Sequence, residues 1–282
     1  MKVSGFTFVR NAIKFDYPVV EAIRSILPIV DEFVVNVGDS EDDTLGLIRG
    51  IGDPKVRIIE NTWDPSKRKD GEIFREQTDL ALDACTGDWA FYLQADEVVH
   101  EAELPTLRSL MEKHLDDRKV LGMRFRYLHF YGDYRTVNPW YYRKEIRLIR
   151  NNGKVRSLGD AVSFYCTDDP APRSLKAGPP ERVVVTGCHI FHYGWVKNPR
   201  TMLEKIAFQV SRHQGADTDI VRELSGMKEW HFSGYDIMKD FRGTHPAVMR
   251  DRIADFLPFL TRGNRWLNPR FYAYVLRHGF KG

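Results

Sequence analysis

Residues 32–44 read EFVVNVGDSEDDT, an apolar run that ends in glycine and continues into a cluster of acidic and hydroxyl residues. The apolar run has the length and the β-branched content of a buried strand. The polar cluster is typical of a helix start, because Asp, Ser and Thr side chains cap the free amide groups there. This stretch therefore predicts a strand that leads directly into a helix.

The same order of strand and helix occurs on both sides of this stretch. Residues 3–9 are β-formers, and residues 17–27 carry apolar side chains at helical spacing. After the central stretch the predicted order is helix, strand, helix and strand, at residues 44–51, 56–59, 72–85 and 89–94. Strands that alternate with helices across short loops predict an α/β fold with a mostly parallel central sheet and helices on both faces. Such a sheet binds ligands at the carboxyl ends of its strands.

The pattern changes after a helix predicted at residues 103–114. Long aromatic stretches with β character follow at 120–131, 145–149 and 182–186, and helical spacing returns at 199–213 and 246–257. A proline-rich loop is expected at 168–180. The sequence therefore predicts three parts: an α/β half, a β-containing part of the same domain and a C-terminal helical extension, at residues 1–115, 116–198 and 199–282.

The composition limits the classes of function. The chain has 282 residues, 43% of them hydrophobic, and 42 Lys and Arg against 39 Asp and Glu give a net charge of only +3. A charge this small predicts no nucleic-acid partner. The scattered Cys85, Cys166 and Cys188 are expected to be reduced thiols. No run approaches the roughly 18 apolar residues of a membrane span, and the first residues lack a signal peptide, so a cytoplasmic location is expected.

The last 21 residues combine basic and aromatic side chains with no acidic residue. This composition predicts peripheral contact with the anionic inner face of a membrane. A helix packed on the domain is the alternative. The residues concerned are Arg262, Arg265, Arg270, Arg277 and Lys281, with Trp266, Phe271, Tyr272, Tyr274 and Phe280.

Two polar segments follow predicted strands at the ligand-binding edge of the sheet. Asp39 begins the first of them, and its carboxylate is suited to accept hydrogen bonds from a nucleobase or a ribose, although helix capping is the favoured explanation of the segment taken alone. Gln94, Ala95, Asp96 and Glu97 form the second. Carboxylates there are suited to hold Mg²⁺ or Mn²⁺ against a diphosphate. The alternative is an acidic, solvent-exposed loop.

A third segment, residues 188–195, reads CHIFHYGW. In a strand, residues three apart point to opposite faces, so His189 and His192 are not expected to reach the same site. Lys197 and Arg200 follow, near a predicted helix start. Their charges are suited to neutralise a diphosphate, with solvated surface lysine and arginine as the alternative.

Together, in content and in order, these segments resemble family 2 glycosyltransferases, which have the Rossmann-like type A glycosyltransferase fold. The resemblance covers residues 3–101 and implies a nucleoside-diphosphate sugar as donor. It implies that Arg10 and Asn11, at the end of the first strand, and Asp39 contact the nucleotide. It also assigns residues 1–115 to the donor and residues 116–198 to the acceptor, which is expected to be a glycan or a lipid-linked molecule.

The resemblance further implies a divalent metal, Mn²⁺ or Mg²⁺. The Asp-x-Asp signature of the family falls on Gln94, Ala95 and Asp96, so the first aspartate is replaced by glutamine. Asp96 and His192 are the implied metal ligands.

An inverting transfer requires a carboxylate that accepts the proton of the acceptor. Asp160 is the predicted base, and Asp133 and Glu145 compete with it. Two other functions stay open: a nucleotidyltransferase, although the chain lacks a glycine-rich triphosphate loop, and an inactive nucleotide-sugar-binding protein, which the glutamine at position 94 suggests.

Overall fold

A ten-stranded mixed sheet forms the centre of the computed structural model, which describes residues 1–67, 70–214, 218–261 and 263–279. A separate two-stranded hairpin, β9 and β10, lies beside it. In chain order the strands are β1 (Val3–Val9), β2 (Glu32–Gly38), β3 (Val56–Asn61), β4 (Trp89–Tyr92), β5 (Glu97–Val99), β6 (Gly122–Tyr131), β7 (Thr136–Val137), β8 (Lys144–Arg150), β9 (Val155–Leu158), β10 (Ser163–Cys166), β11 (Val183–Trp195) and β12 (Lys239–Asp240).

The first half of the sheet is parallel, in the order β3, β2, β1, β4. Phe6 of β1 lies between Val34 of β2 and Tyr92 of β4. Strands β1, β2 and β4 are apolar and mostly buried, as expected for strands covered on both faces, whereas the edge strand β3 has no buried residue. The predicted α/β fold, Rossmann-like and parallel in its first half, is confirmed.

Helices cover both faces of this sheet, as predicted. The odd-numbered positions of β1 and β2, such as Val9 and Val35, pack in one apolar cluster with α1, α2 and α4. The even-numbered positions, such as Phe6 and Val34, pack with Ala81 of α3 on the other face. The helices are α1 (Val19–Ile26), α2 (Thr44–Arg49), α3 (Glu72–Asp83), α4 (Leu104–Lys113), α5 (Pro199–Gln214), α6 (Asp219–Gly226), α7 (Arg250–Ala254) and α8 (Pro269–His278).

The second half of the sheet returns the chain to the first. Strand β8 pairs antiparallel with β4, β6 pairs antiparallel with β8, and β11 runs parallel to β6. The far end of β11 also pairs antiparallel with β5, which places His192 opposite Glu97. The late histidine segment therefore lies next to the turn after β4.

Some elements differ from the sequence prediction. The helix expected at residues 246–257 is only α7, which follows a 3-10 turn at Ala247–Met249. The proline-rich loop contains Leu175, which is buried in the core of the first half. The extension expected to be helical also adds the short strand β12 to the edge of the sheet, next to β7.

The C-terminal segment packs on the domain through α8. Phe271 is buried, and the ring of Tyr274 contacts Trp140 at a centroid distance of 5.2 Å. Arg262, Phe280 and Lys281 lie outside the described residues. Within the described ranges, no helix combines the length and the apolar character needed to cross a membrane. The three cysteines are buried and unpaired.

Candidate functional site

A cavity of about 560 Å³ lies at the carboxyl ends of β1 and β4. Strand β11 and helix α5, both from the second half of the chain, complete its wall. Its lining combines charged residues with a broad aromatic surface. The polar residues are Arg10, Gln94, Asp96, His129, Asp160, His192, Lys205 and Gln209, and the aromatic residues are Phe8, Tyr17, Trp63, Phe74, Tyr141, Tyr142, Trp195 and Phe208.

The turn after β4 is fixed by a fully buried ion pair between Glu97 and Arg147. The guanidinium of Arg147 donates from Nε to Glu97 Oε2 at 2.7 Å and from Nη2 to Oε1 at 2.9 Å. Tyr127 donates its hydroxyl to the same carboxylate at 2.8 Å, and the backbone amide of Gln94 does so at 3.1 Å. The Glu97 carboxylate is thus bonded inside the protein, and the carboxylate of the adjacent residue, Asp96, lines the cavity.

Asp96 lies in a buried cluster of opposite charge. The ammonium of Lys205 donates to Asp96 Oδ2 at 3.1 Å and to the carbonyl of Gly194 at 2.8 Å. His192 Nε2 lies 3.6 Å from Asp96 Oδ1, which is too long for a good hydrogen bond. A methyl group at Gly194 would lie 2.5 Å from Asp96 Oδ2, so only glycine lets the backbone pass this close.

The protonation states in this cluster follow from burial and from the neighbouring charges. Burial acts to raise the pKa of Asp96, but the neighbouring positive groups, of which Lys205 contributes most, together outweigh it and hold that pKa well below its usual range. Burial lowers the pKa of His192 to about 4, so its ring is neutral at pH 7. The Nδ1 atom of His192 is buried and has no hydrogen-bond partner among the residues that the structure describes.

These donors do not fit a divalent ion as they stand. Asp96 and His192 are two ligands, whereas Mg²⁺ and Mn²⁺ favour several oxygen donors in octahedral geometry. The ammonium group of Lys205 already donates a hydrogen bond to one of these two ligands, Asp96. In the part of the chain that the structure describes, no three His, Cys, Asp or Glu side chains come close enough to hold a metal.

Gln94 and Asp160 are held together by the loop that follows β9. Gln94 Nε2 donates to the carbonyl of Ala161 at 3.4 Å, and Arg147 Nη1 donates to the carbonyl of Val162 at 2.9 Å. Ala161 has a positive φ of 66°, which marks a tight turn. The exposed Asp160 lines the same cavity as Gln94 and Asp96, and Ala95, which lies between those two in sequence, lines it as well.

Of the three residues predicted to contact the nucleotide, Arg10 lines the cavity, whereas Asn11 and Asp39 hold the neighbouring backbone. Arg10 lines the cavity, lies over the rings of Trp63 and Phe208, and approaches Asp39 at 3.6 Å. Asp39 also accepts the backbone amide of Trp63 at 3.1 Å. Asn11 is fully buried, and its Oδ1 atom accepts the backbone amide of Glu41. Helix capping in this segment belongs to Asp43, which caps α2 through the amide of Gly46, and not to Asp39.

Lys197 and Arg200 lie away from the cavity lining. Lys197 is buried behind Tyr17, and its ammonium donates to the carbonyl of Asp16 at 2.7 Å. Burial lowers the pKa of Lys197 to about 7. Arg200 is exposed on the first turn of α5.

The histidine pair is separated as the strand periodicity predicts. His189 hydrogen bonds to Glu103, through its backbone amide at 2.7 Å and through its ring at 3.0 Å, whereas His192 faces Asp96.

The candidate bases that compete with Asp160 are bonded elsewhere. Glu145 is buried in an ion pair with Lys176. Asp133 accepts the hydroxyl of Tyr235 at 2.6 Å. Among the three candidates, Asp160 is the one that lines the cavity.

Sequence reasoning missed Lys205 and Arg147. Lys205 had a detectable signal: with Met202 and Phe208 it follows a spacing of three along the predicted helix at 199–213, and all three line the cavity. Arg147 had no such signal, because its importance depends on Glu97, which is 50 residues away in sequence.

The chain is similar in sequence to a curated glycosyltransferase. No family model matches the chain. An uncharacterized glycosyltransferase of Rickettsia typhi is 25% identical over 168 residues, which are 59% of this chain and 52% of that protein. The match thus spans about half the length of the relative.

Two solved structures overlap parts of the fold with low TM-scores. TarS of S. aureus, in complex with UDP-GlcNAc, has a TM-score of 0.41 and 15% identity, covering 80% of this chain and 72% of that one. Glucosyl-3-phosphoglycerate synthase of Mycobacterium tuberculosis, with Mn²⁺, UDP and glucosyl-3-phosphoglycerate, has a TM-score of 0.39 and 15% identity, covering 75% and 79%.

The sheet order, the cavity at the ends of its strands and the similarity to a curated glycosyltransferase support the class expected from sequence. That class is a glycosyltransferase with the type A fold. Within it, the chain is similar to the Rickettsia typhi protein.

The buried ion pair yields a stability prediction. Arg147→Met leaves the Glu97 carboxylate buried without its cation, and breaking such a pair costs about 3–5 kcal/mol of unfolding free energy. Urea denaturation measures the loss. The double variant Glu97→Gln with Arg147→Met should recover part of it, because no buried charge is left unpaired. As a control, Arg108→Met breaks an exposed pair with Glu112 and should barely move the midpoint. An equally small effect of Arg147→Met would contradict the assigned role.

Proposed function

We propose that the protein is a glycosyltransferase that moves a sugar from a nucleoside-diphosphate sugar to an acceptor hydroxyl. The acceptor is a glycan or a lipid-linked molecule, in the synthesis of cell-surface polysaccharide, lipopolysaccharide or glycolipid. The observation that carries the proposal is one cavity, at the strand ends of an α/β sheet, which is lined by both the Asp96 cluster and the exposed carboxylate of Asp160.

The two sides of the cavity suit the two substrates. Arg10 with the rings of Trp63 and Phe208 offers a cationic and aromatic surface for a nucleobase. Tyr141, Tyr142 and Trp195 offer aromatic faces to a sugar ring. In this proposal residues 1–115 bind the donor and residues 116–198 carry the acceptor side.

The proposed reaction is a single displacement at the anomeric carbon. Asp160 accepts the proton of the acceptor hydroxyl as its oxygen forms the new glycosidic bond. The bond between the anomeric carbon and the diphosphate breaks, and the nucleoside diphosphate leaves with the bonding electron pair. Attack from the opposite side inverts the anomeric configuration. Cationic groups at the diphosphate stabilise the charge that develops on it.

The dependence on Mn²⁺ or Mg²⁺ stays a prediction. It requires Asp96 and His192 to be free to bind the ion, whereas Asp96 is bonded to Lys205 in the described arrangement. No step of the proposed reaction is therefore assigned to a metal ion.

A ligand screen tests the donor. A nucleoside diphosphate that binds only the native state, at a free concentration 100 times its Kd, adds about 2.7 kcal/mol to the free energy of unfolding. Thermal shift with UDP, GDP, CDP and dTDP, and with their sugar conjugates, should identify one preferred base. Transfer to a glycan or lipid acceptor, or slow donor hydrolysis, should follow. Absence of any shift contradicts the proposal; binding without turnover indicates an inactive binding protein, and pyrophosphate release from a triphosphate indicates a nucleotidyltransferase.

The base assignment gives a kinetic prediction. Asp160→Asn removes the proton acceptor and should lower kcat by roughly 10²–10⁴-fold while donor affinity changes little. Asp168→Asn, in the exposed loop after β10, is the control and should retain activity. A normal kcat in Asp160→Asn would exclude Asp160 as the base.

We also propose that the protein works in the cytoplasm at the inner face of a membrane, held there by α8. Although Phe271 anchors this helix to the domain, Leu267 and Leu276 are 81% and 89% exposed. Arg270 and Arg277 are exposed on the same segment. The Tyr274 ring reaches Trp140, next to Tyr141 of the cavity, so this surface lies near the proposed acceptor side.

Vesicle binding tests the membrane contact. Arg270→Gln with Arg277→Gln removes two charges, each worth about 1 kcal/mol near an anionic surface, so binding to phosphatidylserine vesicles should weaken roughly 30-fold. The fold should be unaffected, because both side chains are exposed. Arg108→Gln with Lys113→Gln on α4 removes the same charge elsewhere and should bind like the unmodified protein. Equal weakening in both variants would indicate nonspecific attraction.

A further inference from the structure

We propose that the ammonium group of Lys205 holds the diphosphate of the donor in the position otherwise served by a divalent metal ion. The inference rests on the proposed function, and it concerns the same cavity. Its basis is the position of Lys205 on α5, its bond to Asp96 and the small number of metal donors around it.

The position of the ammonium group is fixed by three contacts. It donates to Asp96 Oδ2 at 3.1 Å and to the carbonyl oxygen of Gly194 at 2.8 Å. It also lies 5.1 Å from the centre of the Tyr17 ring, within the range of a cation–π contact. The residue is only 5% exposed, yet it lines the cavity. Lys205 is therefore a preorganised positive charge at the cavity wall.

The hydrogen-bonding capacity of this group leaves room for a ligand. An ammonium ion has three N–H donors. Asp96 and Gly194 take two of them among the described residues. A diphosphate oxygen in the cavity can accept the third, as a charge-assisted hydrogen bond. Holding an anion in this way requires no other cation.

The charges at the site balance without a metal. Asp96 and Lys205 form a one-to-one pair of opposite charges. A divalent ion would need two carboxylates for the same balance, and position 94 holds glutamine instead of a second one. The amide of Gln94 is turned to the carbonyl of Ala161, as a donor. Adding a divalent ion beside Lys205 would also place two cations in contact.

The backbone at Gly194 is adapted to this arrangement. A Cβ atom there would lie 2.5 Å from Asp96 Oδ2 and 2.6 Å from His192 Cε1. The absence of a side chain lets the carbonyl oxygen of residue 194 reach Lys205. The end of β11 and the middle of α5 thus together position one positive charge.

Titration calorimetry with the nucleoside diphosphate selected by the ligand screen tests the inference. In the unmodified protein, we expect the Kd measured in EDTA and the Kd measured in Mn²⁺ to agree within about threefold. Lys205→Met should weaken binding in EDTA by roughly 10–100-fold, since it removes a hydrogen bond from a charged group. Because it also frees Asp96, Mn²⁺ should then restore much of the affinity. Lys228→Met, at an exposed position on the segment after α6, is the matched control and should bind normally.

Direct Mn²⁺ binding provides a second measurement that needs no nucleotide. Electron paramagnetic resonance of free Mn²⁺ should show no uptake by the unmodified protein, because Asp96 and His192 are too few donors and Lys205 is bonded to Asp96. Nucleotide affinity that rises tenfold or more with Mn²⁺ in the unmodified protein would overturn the inference and leave the proposed function standing. Unchanged affinity of Lys205→Met in EDTA would overturn it as well. If no nucleoside diphosphate binds in either condition, the proposed function and the inference both fail.

Discussion

The buried ion pair between Glu97 and Arg147 is the constraint on which the site depends. Both side chains are fully removed from water, and two desolvated charges are tolerable only when each satisfies the other. The geometry is bidentate, and the Arg147 guanidinium also lies between the rings of Tyr92 and Tyr127. Strand β8, strand β6 and the turn after β4 are thereby fixed to one another.

The Glu97–Arg147 pair also determines where the neighbouring carboxylates of Asp96 and Asp160 lie. Asp96 and Glu97 are adjacent in sequence, yet each has a separate cation, Lys205 for the first and Arg147 for the second. Arg147 further bonds the carbonyl of Val162, which fixes the loop that carries Asp160. The cavity-facing carboxylates are therefore positioned by a fully buried contact.

The second half of the chain completes the site by sheet pairing. Strand β11 reaches back to β5 and brings His192 and Gly194 to Asp96. Helix α5 then crosses the cavity wall and contributes Met202, Lys205 and Phe208. The charge balance at Asp96 thus depends on residues about 100 positions later in the chain. A substitution of Lys205 or Gly194 in the second half of the chain would therefore change the surroundings of Asp96 in the first half.

The sequence by itself determined the α/β order, the parallel half of the sheet and the opposite orientations of His189 and His192. These follow from local periodicity, which sets which face of a strand or helix each residue occupies. It also singled out Asp96, Asp160 and Arg10, which line one cavity. Only the tertiary structure decided which cation faces which carboxylate. Long-range pairing of β11 with β5, and the desolvation of Glu97 and Arg147, leave no local pattern, and the contact of Lys205 with Asp96 joins residues 109 positions apart, so these pairings could be read only from the folded chain.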